Sequence, residues 1–355
     1  MREVRGAIRR RVHTTKRTAG RVSQGVVCEE RMTKRILISG APGFVGSHLV
    51  KYILANTDWH VTALDRLDEA ASLSRLGKLS SRVDFIWHDL KAPLQTGALG
   101  HEALRKPFDF IAHLAAASHV DRSVRWPMQF LQDNVMGTAH MLEYAREVGC
   151  GKFLYFSTDE VFGDADRGED FDEFARHWAT NPYAASKAAA EALMPAWAMT
   201  YKVPTVTTHC TNVYGEGQHS EKFIPLAIDK IRSGKMLQIH ARDGKPSSRF
   251  YVHAEDIAAA VVTILENGGV MGSPDTGKFN ISGDVELSNV HVAERIADLL
   301  GKPLRHELVD FVPNRPRHDQ RYAINSTRLE ALGWKRTVSF EEGLLRTVRS
   351  YKQSA

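Results

Sequence analysis

The chain has 355 residues, of which 43% are apolar and 25% charged, the balance of an ordinary globular protein, and it is long enough for one large domain or two joined ones. No apolar run approaches the roughly 18 residues of a membrane span. Cys28, Cys150 and Cys210 lack the paired spacing of a zinc site or a disulfide framework, so no metal is expected and a reducing, cytoplasmic setting fits. The formal net charge of +5 sits in the first 33 residues, where nine bases face three acids, which leaves −1 for the rest; the high pI gives no ground for a nucleic-acid partner.

Residues 1–33 read as a basic, disordered extension or as untranslated sequence ahead of a start at Met32, with an Arg-rich transit peptide as an alternative. Strands are then expected at 35–39 (RILIS), 60–64, 83–87, 108–114, 152–157 and 203–210. Helical segments fall between them at 45–56, 128–147 and 182–201, the last opened by Pro182 at a favourable first position. This alternation implies an α/β fold with a doubly wound parallel sheet of the Rossmann type, covered on both faces. Beyond residue 210 the rhythm loosens into Gly-, Pro- and charge-rich stretches. We therefore expect a first domain at 34–210, with 250–266 packing back on it, and a smaller, discontinuous C-terminal substrate-binding domain from 211–249 and 267–345.

The stretch GAPGFVG sets Gly40, Gly43 and Gly46 between the first strand and the first helix. A tight turn, close backbone approach to a pyrophosphate and close helix–strand packing each require glycine there, and the helix N-terminus suits phosphate. Asp65 closes the second strand at the distance expected of a ribose-binding acid, which favours NAD over NADP, although Arg66 beside it pulls the other way. Asp89, at the end of the third strand, is placed for the adenine amino group. Tyr183 and Lys187 stand four apart on a predicted helix, hence on one face. A lysine there is expected to lower the phenol pKa and make it a base near neutral pH. Asp159 and Glu160 follow the fifth strand at its carboxyl end, where open parallel sheets bind ligands.

GxxGxxG with the Tyr–Lys pair resembles the extended short-chain dehydrogenase/reductase superfamily. STDEVFGD (157–164), AAASHVDRS (115–123), DNVMGTAHMLE (133–143), EKFIPL (221–226) and RPRHDQRYAIN (315–325) resemble, in order, segments of the dTDP-glucose 4,6-dehydratase family. The resemblance covers almost all of residues 33–335. It implies a nucleotide-sugar substrate, a homodimer using the helices near 128–147 and 182–201, and NAD as transient hydride acceptor. Tyr183 would deprotonate the sugar 4-hydroxyl, Glu160 would take the proton of carbon 5, Asp159 would protonate the departing 6-hydroxyl, and Thr158 would hydrogen-bond the sugar. Asp159 would then need a raised pKa, from desolvation and its acidic neighbour.

The same resemblance assigns to the cofactor the glycine loop with Phe44 and Val45, then Asp65, Arg66, Asp89, Leu90, Leu114, Ala115, Ala116, Asn134 and Ser157, along with Tyr183 and Lys187. It assigns Ser118, His119, Asn212, Lys222, Phe223, Arg249, Arg315, His318 and Tyr322 to the substrate, with Arg249 on the diphosphate. Departures occur at Ala117, His209, Thr211, Val213, Glu216, Phe250, Val285 and Arg317, so the nucleotide stays open between dTDP, UDP, CDP and others. A 4-epimerase or decarboxylase on the same scaffold is the enzymatic alternative. Outside enzymes, a silent dinucleotide-binding sensor is the rival reading, and the intact Tyr183–Lys187 pair argues against it.

Overall fold

The run RILIS forms a strand whose Ile36, Leu37 and Ile38 are fully buried, because helices cover both sides of the sheet at this position and no polar face is possible. This is seen in a computed structural model that describes residues 33–353, apart from 78–79, 98–99, 167, 273–276 and 311–318. The basic extension lies outside the described residues but for Thr33, as do Arg315 and His318.

In chain order the first elements are β1 (Arg35–Ser39), α1 (Phe44–Asn56), β2 (His60–Asp65), β3 (Val83–Trp87) and β4 (Phe108–His113). Then come α2 (Val120–Arg125), α3 (Pro127–Phe130), α4 (Gly137–Val148) and β5 (Cys150–Phe156). They are followed by α5 (Pro182–Glu191), α6 (Leu193–Tyr201), β6 (Thr205–Cys210), β7 (Asn212–Tyr214) and α7 (Phe223–Arg232). The chain continues through β8 (Leu237–Arg242), β9 (Lys245–Pro246), β10 (Ser248–His253), α8 (Ala254–Asn267) and β11 (Lys278–Ile281). It closes with β12 (Glu286–Ser288), α9 (Asn289–Leu300), β13 (His306–Asp310), β14 (Arg321–Tyr322), α10 (Thr327–Ala331) and α11 (Phe340–Gln353).

Seven strands form a parallel sheet in the order β11-β6-β5-β4-β1-β2-β3. The strand order reverses between β1 and β4, which opens a crevice at their carboxyl ends. On one side Leu49 and Ile53 of α1 meet Ala258, Val261 and Ile264 of α8 over Ile36 and Ile38. On the other, Met141 and Leu142 of α4 and Met194 of α6 cover Leu37, Ile111 and Phe153. The later strands make two small sheets, one of β7, β10, β12 and β14 and one of β8, β9 and β13, beside α7, α9 and α11. Ile224, Ile228, Ile239, Ile296 and Leu344 are buried there in a core of their own.

Three features differ from the periodicity. The helix expected at 128–147 is interrupted by a π-turn, Leu131–Met136, whose widened backbone lets the consecutive residues Asp133 and Asn134 both turn inward. The helix expected at 182–201 resets at Ala192, because Pro195 has no N–H to give and its ring crowds the carbonyl of residue 191. Finally, Thr33–Ala355 is one compact unit, and the change near residue 210 is a change of sheet. Within the span expected for the second domain, β11 is an edge strand of the first sheet, and Leu329 and Trp334 join the first core. Apolar segments that fill an edge position of a large sheet carry no local signature of the sheet they join.

Lys152, in β5 and only 9% exposed, donates to the carbonyls of Ile264 and Gly268 at 3.1 and 2.6 Å, closing the C-terminus of α8. Lys152→Met takes this donor from both carbonyls in an apolar layer and leaves the Ile264 carbonyl with the Gly268 N–H alone. We expect it to lower the unfolding free energy by about 1–3 kcal/mol, read from denaturant midpoints.

Candidate active site

The glycine loop is dictated by space. Gly40 has φ of 77°, and a Cβ on it would lie 2.8 Å from the Ala115 nitrogen; one on Gly46 would lie 2.1 Å from the Gly40 carbonyl oxygen. Gly43 is the N-cap of α1 and brings no side-chain cap, so the N–H groups that Phe44, Val45 and Gly46 carry in the first turn have no partner within the helix. That is the donor set and the bare backbone a pyrophosphate needs. Asp65 ends β2; its carboxylate accepts the Leu67 N–H at 2.6 Å, and burial pushes its pKa up. Asp89 accepts the Lys91 N–H at 3.0 Å, and Leu90 is buried beside it. The Arg66 side chain is taken up by Asp133, Asp68 and Asp89.

Leu114, Ala115 and Ala116 follow β4 at the same edge. Beneath them runs a buried polar chain that the sequence did not announce. His113 is fully buried and its pKa is pulled down to about 3 by burial, so it is neutral. The Thr138 hydroxyl donates to the Asn134 carbonyl at 2.5 Å, so it must accept from His113 Nε2 at 3.0 Å, which leaves Nδ1 to accept from Ser39 Oγ at 2.6 Å. Ser39 in turn accepts the Ala115 N–H at 3.4 Å. The Asn134 amide spans Ala117 N and O at 2.8 and 3.0 Å and donates to Ser186 Oγ at 2.8 Å. It thereby ties the strand-end loop to α5.

Asp159 and Glu160 open a 3-10 turn, Asp159–Val161, directly after β5. Thr158 Oγ accepts the Glu160 N–H at 3.3 Å and donates to Asp159 Oδ1 at 3.2 Å. Among the described residues, Asp159 Oδ2 and Ser157 Oγ are buried without a partner. Burial, then the Glu160 charge, raises the Asp159 pKa to about 8, while burial also raises Glu160. Glu160 Oε2 accepts from Asn181 Nδ2 at 3.1 Å and Tyr322 Oη at 3.5 Å. Asn181 was missed as a site residue, although it was legible: an Asn-Pro step is a helix start, and its Oδ1 accepts the Ala184 N–H at 2.9 Å as N-cap while its Nδ2 reaches Glu160.

Tyr183 and Lys187 share the buried face of α5. Tyr183 is hydrogen-bonded to Thr158, whose hydroxyl also donates to the Asp159 carboxyl, so the phenol and that acid meet around one hydroxyl. The expected lowering of the phenol pKa by Lys187 is not what this arrangement does. Burial and the Glu160 charge push the phenol well above its ordinary value, and burial brings Lys187 down to about 7. The Lys187 ammonium donates to the Phe156 carbonyl at 2.6 Å and sits 4.2 Å from the centre of the Tyr155 ring.

On the substrate side, the buried Arg249 donates to the carbonyls of Ser248, Gln320 and Asp319 at 2.7, 2.6 and 3.0 Å and stacks 4.4 Å over Tyr322. Lys222 donates to the Ser118 carbonyl at 3.1 Å, His119 pairs with Glu221 at 3.7 Å, and Phe223 opens α7. Asn212 is exposed at the start of β7. Asp319, also missed, accepts from Thr180 at 2.7 Å and is raised by burial. Two departures from the family pattern have structural partners. His209 pairs with Glu191 at 3.0 Å, and Glu216 binds His253 and Arg346 at 3.1 and 3.0 Å. His177, Glu191 and His209 place ligand atoms within 4.8 Å of one another, but Lys278 already supplies a cation 2.9 Å from Glu191.

The Asp159 pKa, about 8 when folded against an ordinary 3.8, stabilises the fold fully below pH 4, and this contribution is lost as pH rises through 8. Asp159→Asn has no charge to bury. Its melting temperature should therefore gain on the natural chain by about 3 °C or more between pH 5 and 9, checked by calorimetry.

Residues 37–347 match the GDP-mannose 4,6 dehydratase family. The chain is 35% identical over 336 residues to a dTDP-glucose 4,6-dehydratase of Haemophilus influenzae, covering 89% of this chain and 97% of that one. It is 36% identical over 326 residues to a trifunctional UDP-glucose 4,6-dehydratase of Arabidopsis thaliana, covering 90% of this chain and 47% of that longer protein. Among solved structures it is similar to a dTDP-glucose 4,6-dehydratase of Streptomyces venezuelae with NAD bound: TM-score 0.81, 34% identity, 90% of this chain and 97% of that one. The matched span takes in the glycine loop, the acid pair and the Tyr–Lys pair, and the chain belongs to the nucleotide-sugar 4,6-dehydratase family.

Proposed function

We propose that the chain converts a nucleotide hexose, dTDP-glucose foremost, to its 4-keto-6-deoxy product and water. The observation that carries this reading is the pair of a buried Asp159 and a half-buried Glu160 at the carboxyl end of β5, beside Thr158 and Tyr183. The glycine loop, Asp65 and the N-terminus of α1 would hold NAD, which supplies a hydride acceptor early in the cycle and returns the hydride at its end. Tyr183 takes the proton of the 4-hydroxyl. To act as that base it must be the phenolate, a form that burial disfavours, and a positively charged Lys187 on the same face of α5 would offset that cost. Once carbon 4 is a ketone, the hydrogen on carbon 5 is acidic. Glu160, aimed by Asn181 and Tyr322, removes it, and Asp159, protonated at neutral pH, gives its proton to the departing 6-hydroxyl. A pure 4-epimerase needs neither acid. Arg249 lies close enough to Tyr322 and the acid pair to hold the diphosphate beside them.

The test is incubation of the purified chain with dTDP-, UDP- and CDP-hexoses and NAD, with products read by mass and NMR. We expect loss of one water without net NADH. Glu160→Gln should cut turnover by about a hundredfold or more while letting NADH absorbance accumulate from the first step. A 4-epimer as the sole product from every hexose would overturn the reading.

A homodimer belongs to the same proposal. Trp126, Met128 and Met136 on the α3–α4 stretch and Met199 on α6 are at least half exposed, a density of large apolar groups that marks a protein contact. Met128→Glu combined with Met136→Glu should yield a monomer by light scattering. The compartment is proposed as cytoplasmic: Cys150 and Cys210 are free thiols, and no described helix is long and apolar enough to cross a membrane.

A further inference from the structure

Arg66 directly follows Asp65 at the end of β2, the place where an arginine receives the 2′-phosphate of NADP in dinucleotide-binding folds. Here its guanidinium is already engaged. Nε and Nη2 donate to Asp68 Oδ2 at 3.2 and 3.0 Å, and Nη1 and Nη2 donate to the two oxygens of Asp133 at 2.7 and 3.2 Å. Four of the five N–H groups that an arginine owns are thus used, and Nη1 also stands 3.6 Å from Asp89. Asp133 is no incidental partner. Its side chain is only 5% exposed, it comes from the π-turn that points it at the sheet edge, and it also draws Lys91 to 3.4 Å. Asp65, Asp68, Asp89 and Asp133 outnumber Arg66 and Lys91 by two, so a dianionic phosphate at this corner meets net repulsion.

Resting on the dinucleotide reading of the glycine loop, we propose that Asp133 is a specificity-determining residue: it holds Arg66 away from the cofactor's 2′ position, and so makes an NAD protein of a chain whose second strand ends in Asp-Arg. A two-ended carboxylate grip on a planar guanidinium fixes its orientation as well as its charge. Asp68, on an exposed loop, completes the hold from the other side. The consequence is that Arg66 serves to shape the corner and not to bind phosphate.

The test uses the full purified chain, the variants Asp133→Asn, Asp68→Asn and Asp133→Asn/Arg66→Ala, and equal concentrations of NAD and NADP. After desalting, the retained dinucleotides are released by denaturation and quantified by mass. We expect the natural chain to retain NAD, and Asp133→Asn to raise the NADP-to-NAD ratio about tenfold or more, the equivalent of one charge-assisted contact released to a new ligand. Asp68→Asn should raise it by a smaller factor, and adding Arg66→Ala should abolish the gain. An unmoved ratio in the single variants that fold, by circular dichroism, overturns the role of Asp133. A gain that survives removal of Arg66 overturns it too. If the natural chain retains neither dinucleotide, the failure belongs to the dinucleotide reading itself.

Discussion

Desolvation of ionisable groups at one sheet edge is the constraint on which the rest of this structure depends. Asp159, Tyr183 and Lys187 are removed from water together with a half-buried Glu160, and burial is the largest cause of the pKa shift in each. In water the two acids would both be ionised and the lysine fully charged, and no carboxylic acid would be left to give a proton at neutral pH. Burial inverts this: it keeps a proton on Asp159, lifts Glu160 towards the range of a useful base, and makes the Lys187 charge responsive to its neighbours. Such a set costs stability, and it persists only because the strands and helices that carry it are held by independent interactions.

Those interactions are a small number of polar anchors. Lys187 ends on the Phe156 carbonyl, so α5 is pinned to the end of β5. Asn181 caps α5 and fixes Glu160 with the two ends of one amide. The chain Ser39–His113–Thr138–Asn134 links β1, β4, α4 and the π-turn through one neutral histidine. Each anchor commits a buried polar group to geometry, and because each is satisfied, none carries the penalty of an orphaned donor.

The parallel sheet, the glycine loop and the Tyr–Lys pair were readable from the sequence because each has a period or spacing that only one local geometry satisfies. Asp159 and Glu160 were readable by position, at a strand end, and by the resemblance. What could not be read depends on distance along the chain. His113 looks like a strand residue until Thr138 and Ser39 meet it, and Asp319 looks like a loop acid until Thr180 does. The pKa of Tyr183 runs against expectation for a related reason: the spacing puts Lys187 on the right face, but the degree of burial, which decides the sign, is a property of the whole crevice. The membership of β11 in the first sheet is likewise a tertiary fact.

The π-turn at Leu131–Met136 shows how closely the two ends of the cofactor region are coupled. A regular helix turns about 100° per residue, so neighbouring side chains leave it in different directions. By widening one turn, the chain directs Asn134 to the loop after β4 and to Ser186 on α5, while Asp133 goes to Arg66 at the end of β2. One local distortion therefore sets both the footing of α5, which carries Tyr183 and Lys187, and the charge beside Asp65 at the end of β2. A change that restored regular winding there would shift the directions in which Asp133 and Asn134 leave the helix. Each of its two buried polar side chains is held by charge-assisted or amide hydrogen bonds to a different strand end, and these contacts stabilise the distorted winding in turn.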